Sequence, residues 1–216
     1  MTSGDVLKLF RAEMADAVQP YLWSDVDVYT YIDDAQKMYC RNTDGISDAT
    51  TAAVTTLSVT PGTTWLATHP SILKIRGLTR TDTGRPVDVV NFEDMAANGW
   101  YYNGTTGVLK ALVVGQEIDK ARVYPNASET VTLALLVFRM PLGDIFGDQD
   151  FEIPAKHHRH LLLWVKSLAY GKHDAETYDK GRSDDFAAKF EAYCAKAKIE
   201  ERRARHKPRT VAYGGI

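Results

Sequence analysis

Cysteine, proline and charge of one sign are all scarce in this sequence of 216 residues. It contains only two cysteines and eight prolines, and 26 basic residues nearly balance 28 acidic ones. Because the net charge is only −2, we do not expect the protein to coat nucleic acid along its whole surface. The cysteines, Cys40 and Cys194, lie far apart on predicted helices, and this placement favours two buried free thiols over a disulfide.

Long apolar runs are absent as well. No run approaches the length of about 18 residues that crosses a membrane, so the sequence predicts no membrane partner. The first residues, Met1 to Asp5, also lack the charged-then-apolar pattern of a secretory signal. We therefore expect the protein to be made and kept in a cytoplasm, at least until it is assembled with its partners.

The motifs of common catalytic sites are missing too. The sequence has no Cys-x-x-Cys or Cys/His zinc spacing, no serine in a Gly-x-Ser-x-Gly context and no glycine-rich phosphate loop. Asp33 and Asp34 are adjacent, so on a helix they point to different faces and cannot act as an acid–base pair. The sequence predicts that the protein is not an enzyme and that it binds no cofactor.

Two polar clusters are the strongest candidates for a metal site, and both favour a simpler interpretation. His157, His158 and His160 begin a predicted helix, but a zinc site would need a third ligand and a supporting carboxylate that no motif supplies. We expect these histidines to form a partly exposed helix start. The four acidic residues before that helix lack the pattern of a calcium loop, and their charge is favourable beside a helix N-terminus. They are Asp144, Asp148, Asp150 and Glu152.

Helical patterns occupy both ends of the chain. Ser3 is the predicted cap of a first helix that ends before Pro20. Ser24 is the predicted cap of a second helix, with Asp27 at its third position and Trp23 packed against its first turn.

Near the other end, Pro154 suits the first position of a helix that runs to Tyr170. Asp174 is the predicted cap of the last helix. Since the connection between these two helices is short, we expect them to lie antiparallel.

Strand patterns fill the middle of the chain. Segments between residues 54 and 139 are rich in β-branched residues, with a strand at 100–102, a tight turn at Asn103-Gly104 and a short helix at 91–97. The small, polar segment 42–53 is predicted to be a connection. The expected fold class is α+β, a four-helix bundle from the N- and C-terminal helices with an inserted antiparallel β module. The predicted domains are the helical bundle (1–53 and 140–201), the β-rich module (54–139) and a basic C-terminal docking arm (202–216).

The predicted arm combines positive charge with a short apolar segment. Its cations are able to bind phosphates, its β-branched and aromatic residues suit docking to a partner protein, and a solvated terminus is the third interpretation. The candidate partner-binding residues are Arg202, Arg203, Arg205, Lys207, Arg209, Thr210, Val211 and Tyr213.

Short sequence blocks, taken in order, resemble the head-to-tail adaptor (connector) proteins of tailed bacteriophages, which form the ring beneath the portal. Each block is degenerate, and the resemblance depends on their order and spacing along nearly the whole chain. The blocks are Trp23-Ser24-Asp25, Tyr31-Ile32-Asp33-Asp34-Ala35-Gln36, Val123-Tyr124-Pro125, residues 133–138, Met140-Pro141, residues 153–157 and Ala169-Tyr170.

The resemblance implies a virion protein at the portal–tail junction that forms a homo-oligomeric ring of about twelve copies. Its implied partners are the portal protein, which receives residues 202–216, and a tail tube or nozzle protein, which faces residues 54–139. DNA would pass through the channel without specific binding. The rival hypothesis is a DNA-binding or packaging accessory protein that uses the basic tail, and a metal-dependent hydrolase is a distant third.

Overall fold

The computed structural model describes residues 1–97, 105–174 and 176–205. The chain divides into two compact units, of which the first consists of Met1–Thr43 and Gly143–Ile216 and the second of Asp44–Leu142. A 3₁₀ helix at Ala155–His160 directly precedes helix α5. The α-helices within the described residues are α1 (Ser3–Glu13), α2 (Asp25–Asn42), α3 (Ala52–Thr55), α4 (Phe92–Ala97), α5 (Leu161–Gly171) and α6 (Lys180–Arg205).

The strands that the structure describes all belong to the second unit. They are β1 (Ile46–Asp48), β2 (Thr56–Val59), β3 (Trp65–Ala67), β4 (Ile72–Arg80), β5 (Pro86–Asn91), β6 (Thr106–Gly107), β7 (Ala111–Glu117), β8 (Lys120–Tyr124), β9 (Asn126–Ala127) and β10 (Val131–Arg139). The strand predicted at 100–102 and the turn predicted at Asn103-Gly104 lie outside the described residues.

The predicted fold class, a four-helix bundle with an inserted antiparallel β module, is wrong. One eight-stranded sheet has the order β1-β10-β4-β5-β7-β8-β3, and β2 also pairs with β10. Strands β5 and β7 run parallel, and β6 and β9 form a separate two-stranded parallel sheet. The second unit also contains helices α3 and α4, so it is a large mixed structure and not a small antiparallel insertion.

The parallel pair follows from the connection between its strands. Strand β5 ends at Asn91 and α4 begins at Phe92, so the chain crosses over before β7 begins at Ala111. A crossover returns the chain to the end of the sheet from which it started, and the next strand then runs parallel. The short helix predicted at 91–97 is confirmed, but strand patterns alone do not reveal the direction of the strand that follows it.

Strand β10 forms the centre of the core of the second unit. Its alternate residues Val131, Leu133, Leu135 and Val137 are buried, as expected for a strand that packs one face against a core. Other buried members of this cluster come from the neighbouring strands and include Leu78, Val87, Leu112 and Val123.

The polar segment 42–53 is not the simple connection that was predicted, because it contains β1 and part of α3. Strand β1 pairs with the end of β10, and Asp48 forms a buried ion pair with Arg139 across it, with Oδ2 and Nε 2.6 Å apart. Gly45 has φ of +81°, and a Cβ added to it would lie 2.8 Å from the Arg139 carbonyl oxygen. This close approach explains why glycine stands before β1.

In the first unit, α1 begins one residue earlier and ends earlier than its sequence predicts. Thr2 is the cap instead of Ser3: its hydroxyl accepts a hydrogen bond from the Asp5 backbone N–H, and the Asp5 carboxylate accepts one from the Thr2 N–H. The helix stops at Glu13 because the chain turns back and places the buried Asp16 carboxylate against Arg11. This tertiary ion pair is not visible in the local pattern.

Helix α2 begins as predicted. The Ser24 hydroxyl accepts a hydrogen bond from the Asp27 backbone N–H at 3.1 Å, so the predicted cap is confirmed. Trp23 is buried, lies edge-on to Phe10 at 5.5 Å between ring centroids, and donates its indole N–H to the Ala169 carbonyl at 3.0 Å. One tryptophan therefore joins the residues around α1, α2 and α5.

The starts of the last two helices differ from the prediction. Pro154 precedes a 3₁₀ helix, and α5 begins only at Leu161. At the start of α6, the Asp179 carboxylate accepts a hydrogen bond from the Arg182 backbone N–H at 3.0 Å. The prediction had assigned this role to Asp174. In the part of the chain that the structure describes, no helix is both long enough and apolar enough to span a membrane.

Candidate partner-binding surface at the end of helix α6

Helix α6 is mostly polar and buries only a narrow stripe. Phe190, Cys194 and Ala197 are its buried residues, and their spacing of four and three places them on one helix face. Burial raises the pKa of the Cys194 thiol to about 12. Cys40 is also buried, and neither cysteine forms a disulfide, so the prediction of two buried thiols instead of a disulfide is confirmed.

The last turn of α6 is held by a polar cluster that we call the Glu201 anchor, formed by Tyr39, His157, Tyr193, Glu201 and Arg205. Glu201 Oε1 lies 3.1 Å from the Tyr39 hydroxyl and 3.2 Å from His157 Nε2. Glu201 Oε2 accepts a hydrogen bond from Arg205 Nη2 at 2.9 Å. One carboxylate therefore connects the end of α6 to α2 and to the 3₁₀ helix.

Burial determines the charge of this anchor. Desolvation lowers the pKa of His157, the nearby Lys156 lowers it further, and Glu201 opposes the shift without cancelling it. Desolvation and the Glu201 charge together raise the pKa of Tyr39. At neutral pH both rings are uncharged, and the Tyr39 hydroxyl donates a hydrogen bond to the Glu201 carboxylate.

The neutral His157 ring satisfies every contact in one tautomer. Its Nδ1 lies 2.8 Å from the Tyr193 hydroxyl, and its Nε2 faces Glu201. With the proton on Nε2, the ring donates to the carboxylate and accepts from the Tyr193 hydroxyl. A fully satisfied, partly buried polar network favours one arrangement of its members.

The predicted arm begins inside this helix. Arg202 and Arg203 are exposed on the last turn of α6, where positive charge is favourable to the helix dipole. Arg205 is held by the Glu201 anchor. The remaining predicted partner-binding residues lie outside the described residues: they are Lys207, Arg209, Thr210, Val211 and Tyr213.

The three clustered histidines do not come together as metal ligands. His158 is buried, with its ring nitrogens each 2.8 Å from a backbone carbonyl oxygen, those of Met1 and Ile153. His160 stacks on the Tyr193 ring at 3.7 Å between centroids. Across residues 1–97, 105–174 and 176–205, no group of three His, Cys, Asp or Glu side chains could hold a metal ion. The expected partial exposure of His157 and His158 is wrong, because both are buried.

The acidic residues between 144 and 152 have structural partners instead of converging on one point. Asp144 pairs with Lys37 at 2.5 Å. Asp148 accepts the backbone N–H of Gly4 at 2.9 Å, at the start of α1. A carboxylate near a helix N-terminus was predicted, but the helix that benefits is α1 and not the helix that follows in sequence.

The adjacent Asp33 and Asp34 behave as their spacing predicts. Asp33 accepts a hydrogen bond from Lys37 at 2.6 Å and another from the Ile145 backbone N–H at 3.0 Å. Asp34 accepts the indole N–H of Trp164 at 2.7 Å. The two carboxylates bind different groups and do not form an acid–base pair.

Three apolar side chains of the first unit are largely open to solvent. Val18 is 80% exposed, Val26 is 75% exposed and Phe146 is 80% exposed. Isolated exposed apolar side chains are common, but two of these lie within nine residues of each other around the connection from α1 to α2. They are candidates for contact with another protein chain.

Comparison with known proteins gives one result that covers nearly the whole chain. A protein-family model described as SU10 adaptor protein matches residues 1–212. No curated protein matches the sequence. The predicted resemblance to phage adaptors is thereby confirmed at the level of an adaptor-type virion protein with a structural role. The chain belongs to the SU10 adaptor protein family.

Proposed function

We propose that the protein assembles into an adaptor ring that joins the portal protein to a tail tube or nozzle protein and keeps the DNA exit channel continuous. The role is structural, with neither catalysis nor a cofactor. The observation that carries the proposal is the Glu201 anchor, which fixes the root of a basic segment in a chain of the adaptor family.

The anchor favours docking because it holds the last turn of α6 in one arrangement. Arg202 and Arg203 belong to this turn. A partner that contacts them therefore binds groups that are already ordered, which reduces the entropy cost of binding. The exposed Arg202 and Arg203 then suit an acidic surface on the portal.

A ring also requires contact between identical copies. Ring closure by rotation uses two different patches on each subunit, repeated around the axis. The exposed side chains of Val18, Val26 and Phe146 are available for one of these patches. Burying such side chains against a neighbouring copy would stabilise the ring through the hydrophobic effect.

Truncation after Arg205 tests the docking arm, because it removes residues 206–216 and leaves the Glu201 anchor complete. We expect binding to purified portal protein, measured by surface plasmon resonance, to weaken by at least about tenfold. Arg202→Gln with Arg203→Gln should weaken it as well. The matched control is Lys180→Gln with Lys196→Gln, which removes two exposed cations elsewhere on α6. Equal binding by all these variants would contradict the docking arm.

The rival hypothesis, a DNA-binding accessory protein, predicts a different result from the same truncation. If about five cations of the tail contact phosphates, the logarithm of the affinity for duplex DNA falls with the logarithm of salt concentration with a slope of roughly −4 to −5. Fluorescence anisotropy over a salt series measures this slope. A steep slope that this truncation makes shallower by about 2, the share of Lys207 and Arg209, supports the rival, and negligible DNA affinity supports the adaptor.

Mass measurement tests the ring itself. Native mass spectrometry of the protein with and without portal protein should show a defined multiple of the subunit mass on the portal. The double variant Val18→Lys and Val26→Lys should reduce that assembly, since charge in an apolar contact is costly. Thr83→Lys, at an exposed loop of the second unit, is the control. A single copy per portal complex would contradict the ring.

A further inference from the structure

An open groove of about 730 Å³ lies at one end of the eight-stranded sheet in the second unit. Its lining comes from the start of β4 and β8 and from the end of β5, β7 and β10. Given the pairing directions in this sheet, these five strand ends meet at the same end of it. The size is within the range of ligand-binding pockets in proteins.

The floor of the groove continues the hydrophobic core. Ile72, Ile75, Val89 and Val114 are partly buried, pack against the buried cluster of the second unit and line the groove. At this end of the sheet the core is therefore covered only in part. An occupant with apolar side chains would complete the burial of these four residues and gain stability from it.

The rim of the groove is mainly positive. Lys74, Arg76 and Lys120 line it together with one acidic residue, Asp119. Lys74 and Arg76 are both exposed, and the Arg76 guanidinium lies 4.8 Å from the centroid of the Phe138 ring. Lys120 pairs with Glu117 at 2.6 Å. Among the cations of the rim, the charge of Lys120 is therefore balanced by Glu117, and the remaining positive charge lies along β4 beside the Phe138 ring.

Strand β4 is irregular where it forms this wall. From Gly77 to Ile75 strand β4 covers two residue steps, whereas the paired part of β10 covers only one. Arg76 therefore has no residue opposite it on β10 and is the extra residue of a bulge. A second shift of the same kind makes Leu73 the extra residue between Lys74 and Ile72. Such bulges turn side chains away from the regular ladder and are common beside functional sites. Both extra residues line the groove.

We propose that this groove binds an extended, acidic peptide segment of another protein, with apolar side chains on the floor and carboxylates on the rim. An extended peptide suits it because alternate side chains point to opposite faces. This inference concerns the second unit and does not rest on the arm or the ring. Its failure would leave the proposed function intact.

Charge selects this occupant over two others. Residues 206–216 of the chain include Lys207 and Arg209 and no acidic residue, so the positive rim would repel them. A nucleic acid would meet Lys74 and Arg76 but also Asp119 and Glu117, and its phosphates would gain nothing from an apolar floor. An acidic peptide with apolar side chains matches both the rim and the floor.

Fluorescence anisotropy with defined probes tests the proposal. The main probe is a labelled decapeptide of alternating Glu and Leu. Its relatives carry Ser in place of Leu or Lys in place of Glu, and a thymine oligonucleotide of ten nucleotides represents nucleic acid. We expect the Glu–Leu peptide to bind at least about tenfold more tightly than each of the other three probes. Its binding should weaken as salt concentration rises.

Substitution then locates the site. Lys74→Glu with Arg76→Glu should weaken binding of the Glu–Leu peptide by about tenfold or more. Arg85→Glu is the matched control, because Arg85 is exposed at the hairpin between β4 and β5, at the opposite end of these strands. Circular dichroism establishes that each variant is folded. If the charge-reversed variant does not fold, Lys74→Gln takes its place, with a smaller loss of affinity expected.

Several results would overturn the proposal. Binding of the Glu–Leu peptide that is unchanged by substitution of Lys74 would place the site elsewhere. Equal binding of the Glu–Leu and Lys–Leu peptides would show that the charge of the rim does not matter. Tighter binding of the oligonucleotide, lost on substitution of Lys74, would assign the groove to nucleic acid. Absence of binding by every probe would also refute it.

Discussion

The buried ion pair between Asp48 and Arg139 is a feature of the second unit whose removal should be costly. Their side chains are 5% and 9% exposed, and Asp48 Oδ2 lies 2.6 Å from Arg139 Nε. Asp48 Oδ1 accepts the backbone N–H groups of Thr50 at 2.9 Å and Thr51 at 3.1 Å. Burial disfavours the charged carboxyl, but Arg139 and these N–H groups outweigh it and hold the pKa of Asp48 below its usual range.

We predict that Asp48→Asn destabilises the second unit by about 3–5 kcal/mol, because it removes one charge of a buried, hydrogen-bonded ion pair. The amide keeps the volume of the side chain and an acceptor for Thr50 and Thr51. For a unit of about 100 residues, 1 kcal/mol corresponds to at least about 4 °C in melting temperature. The expected decrease is therefore about 12 °C or more.

Differential scanning calorimetry measures the change, and hydrogen exchange of β10 peptides assigns the transition to the second unit. Glu117→Gln is the matched control, because its partner Lys120 is about half exposed and such pairs contribute about 1 kcal/mol or less. Adding Arg139→Met to Asp48→Asn should recover part of the loss, since neither charge of this pair then remains.

The predicted role of this ion pair is refuted if Asp48→Asn changes the melting temperature no more than Glu117→Gln does. That result would mean that the buried pair contributes no more than a solvated one. It is also refuted if Arg139→Met lowers the stability of the Asp48→Asn variant as much as it lowers the stability of the unchanged protein. Such additive losses would show that the two charges do not depend on each other.

Three further predictions concern stability and reactivity. Because the pKa of His157 is lowered in the folded state, the unfolded chain binds more protons between that pKa and about 6.5. The free energy of unfolding should therefore decrease as pH falls below about 6.5, and His157→Gln should flatten this dependence in urea titrations. Gly45→Ala should cost about 1–3 kcal/mol more than Gly62→Ala, since φ is positive at both but only at Gly45 would the Cβ collide with backbone. Cys40 and Cys194 should resist alkylation at pH 8, measured by mass spectrometry, until the protein is unfolded.

Features decided by a few neighbouring residues were predictable from the sequence. Ser24 accepts the N–H of Asp27 because that is the geometry of any helix start with such a cap. The burial of Cys40 and Cys194 without a disulfide follows from their positions on helices far apart in sequence. The alternation of residues in β10 follows from the two-residue period of a strand that faces a core.

Features decided by distant residues were not predictable in the same way. The early end of α1 depends on the pairing of Arg11 with Asp16, and strand β1 exists because β10 offers it a partner. The parallel direction of β7 depends on the crossover before it. Each is a tertiary contact that overrides local preference.

The candidate site was predictable only in part. The basic residues after Glu201 were evident from composition, but their separation into exposed Arg202 and Arg203 and an anchored Arg205 was not. The spacing of Tyr193 and Glu201, about two helical turns, places both on one face of α6. Their meeting with His157 and Tyr39 requires the fold.

The two unpredicted polar contacts have the same consequence for different segments. Asp48 with Arg139 fixes β1 on β10, and Glu201 with Tyr39 and His157 fixes the end of α6. Apolar packing could stabilise each segment as well, but it tolerates small shifts, whereas buried hydrogen bonds are lost when their geometry changes. In the proposed adaptor ring, every copy has to present the end of α6 at the same place. Buried polar contacts at the end of a segment meet that requirement better than additional apolar area would.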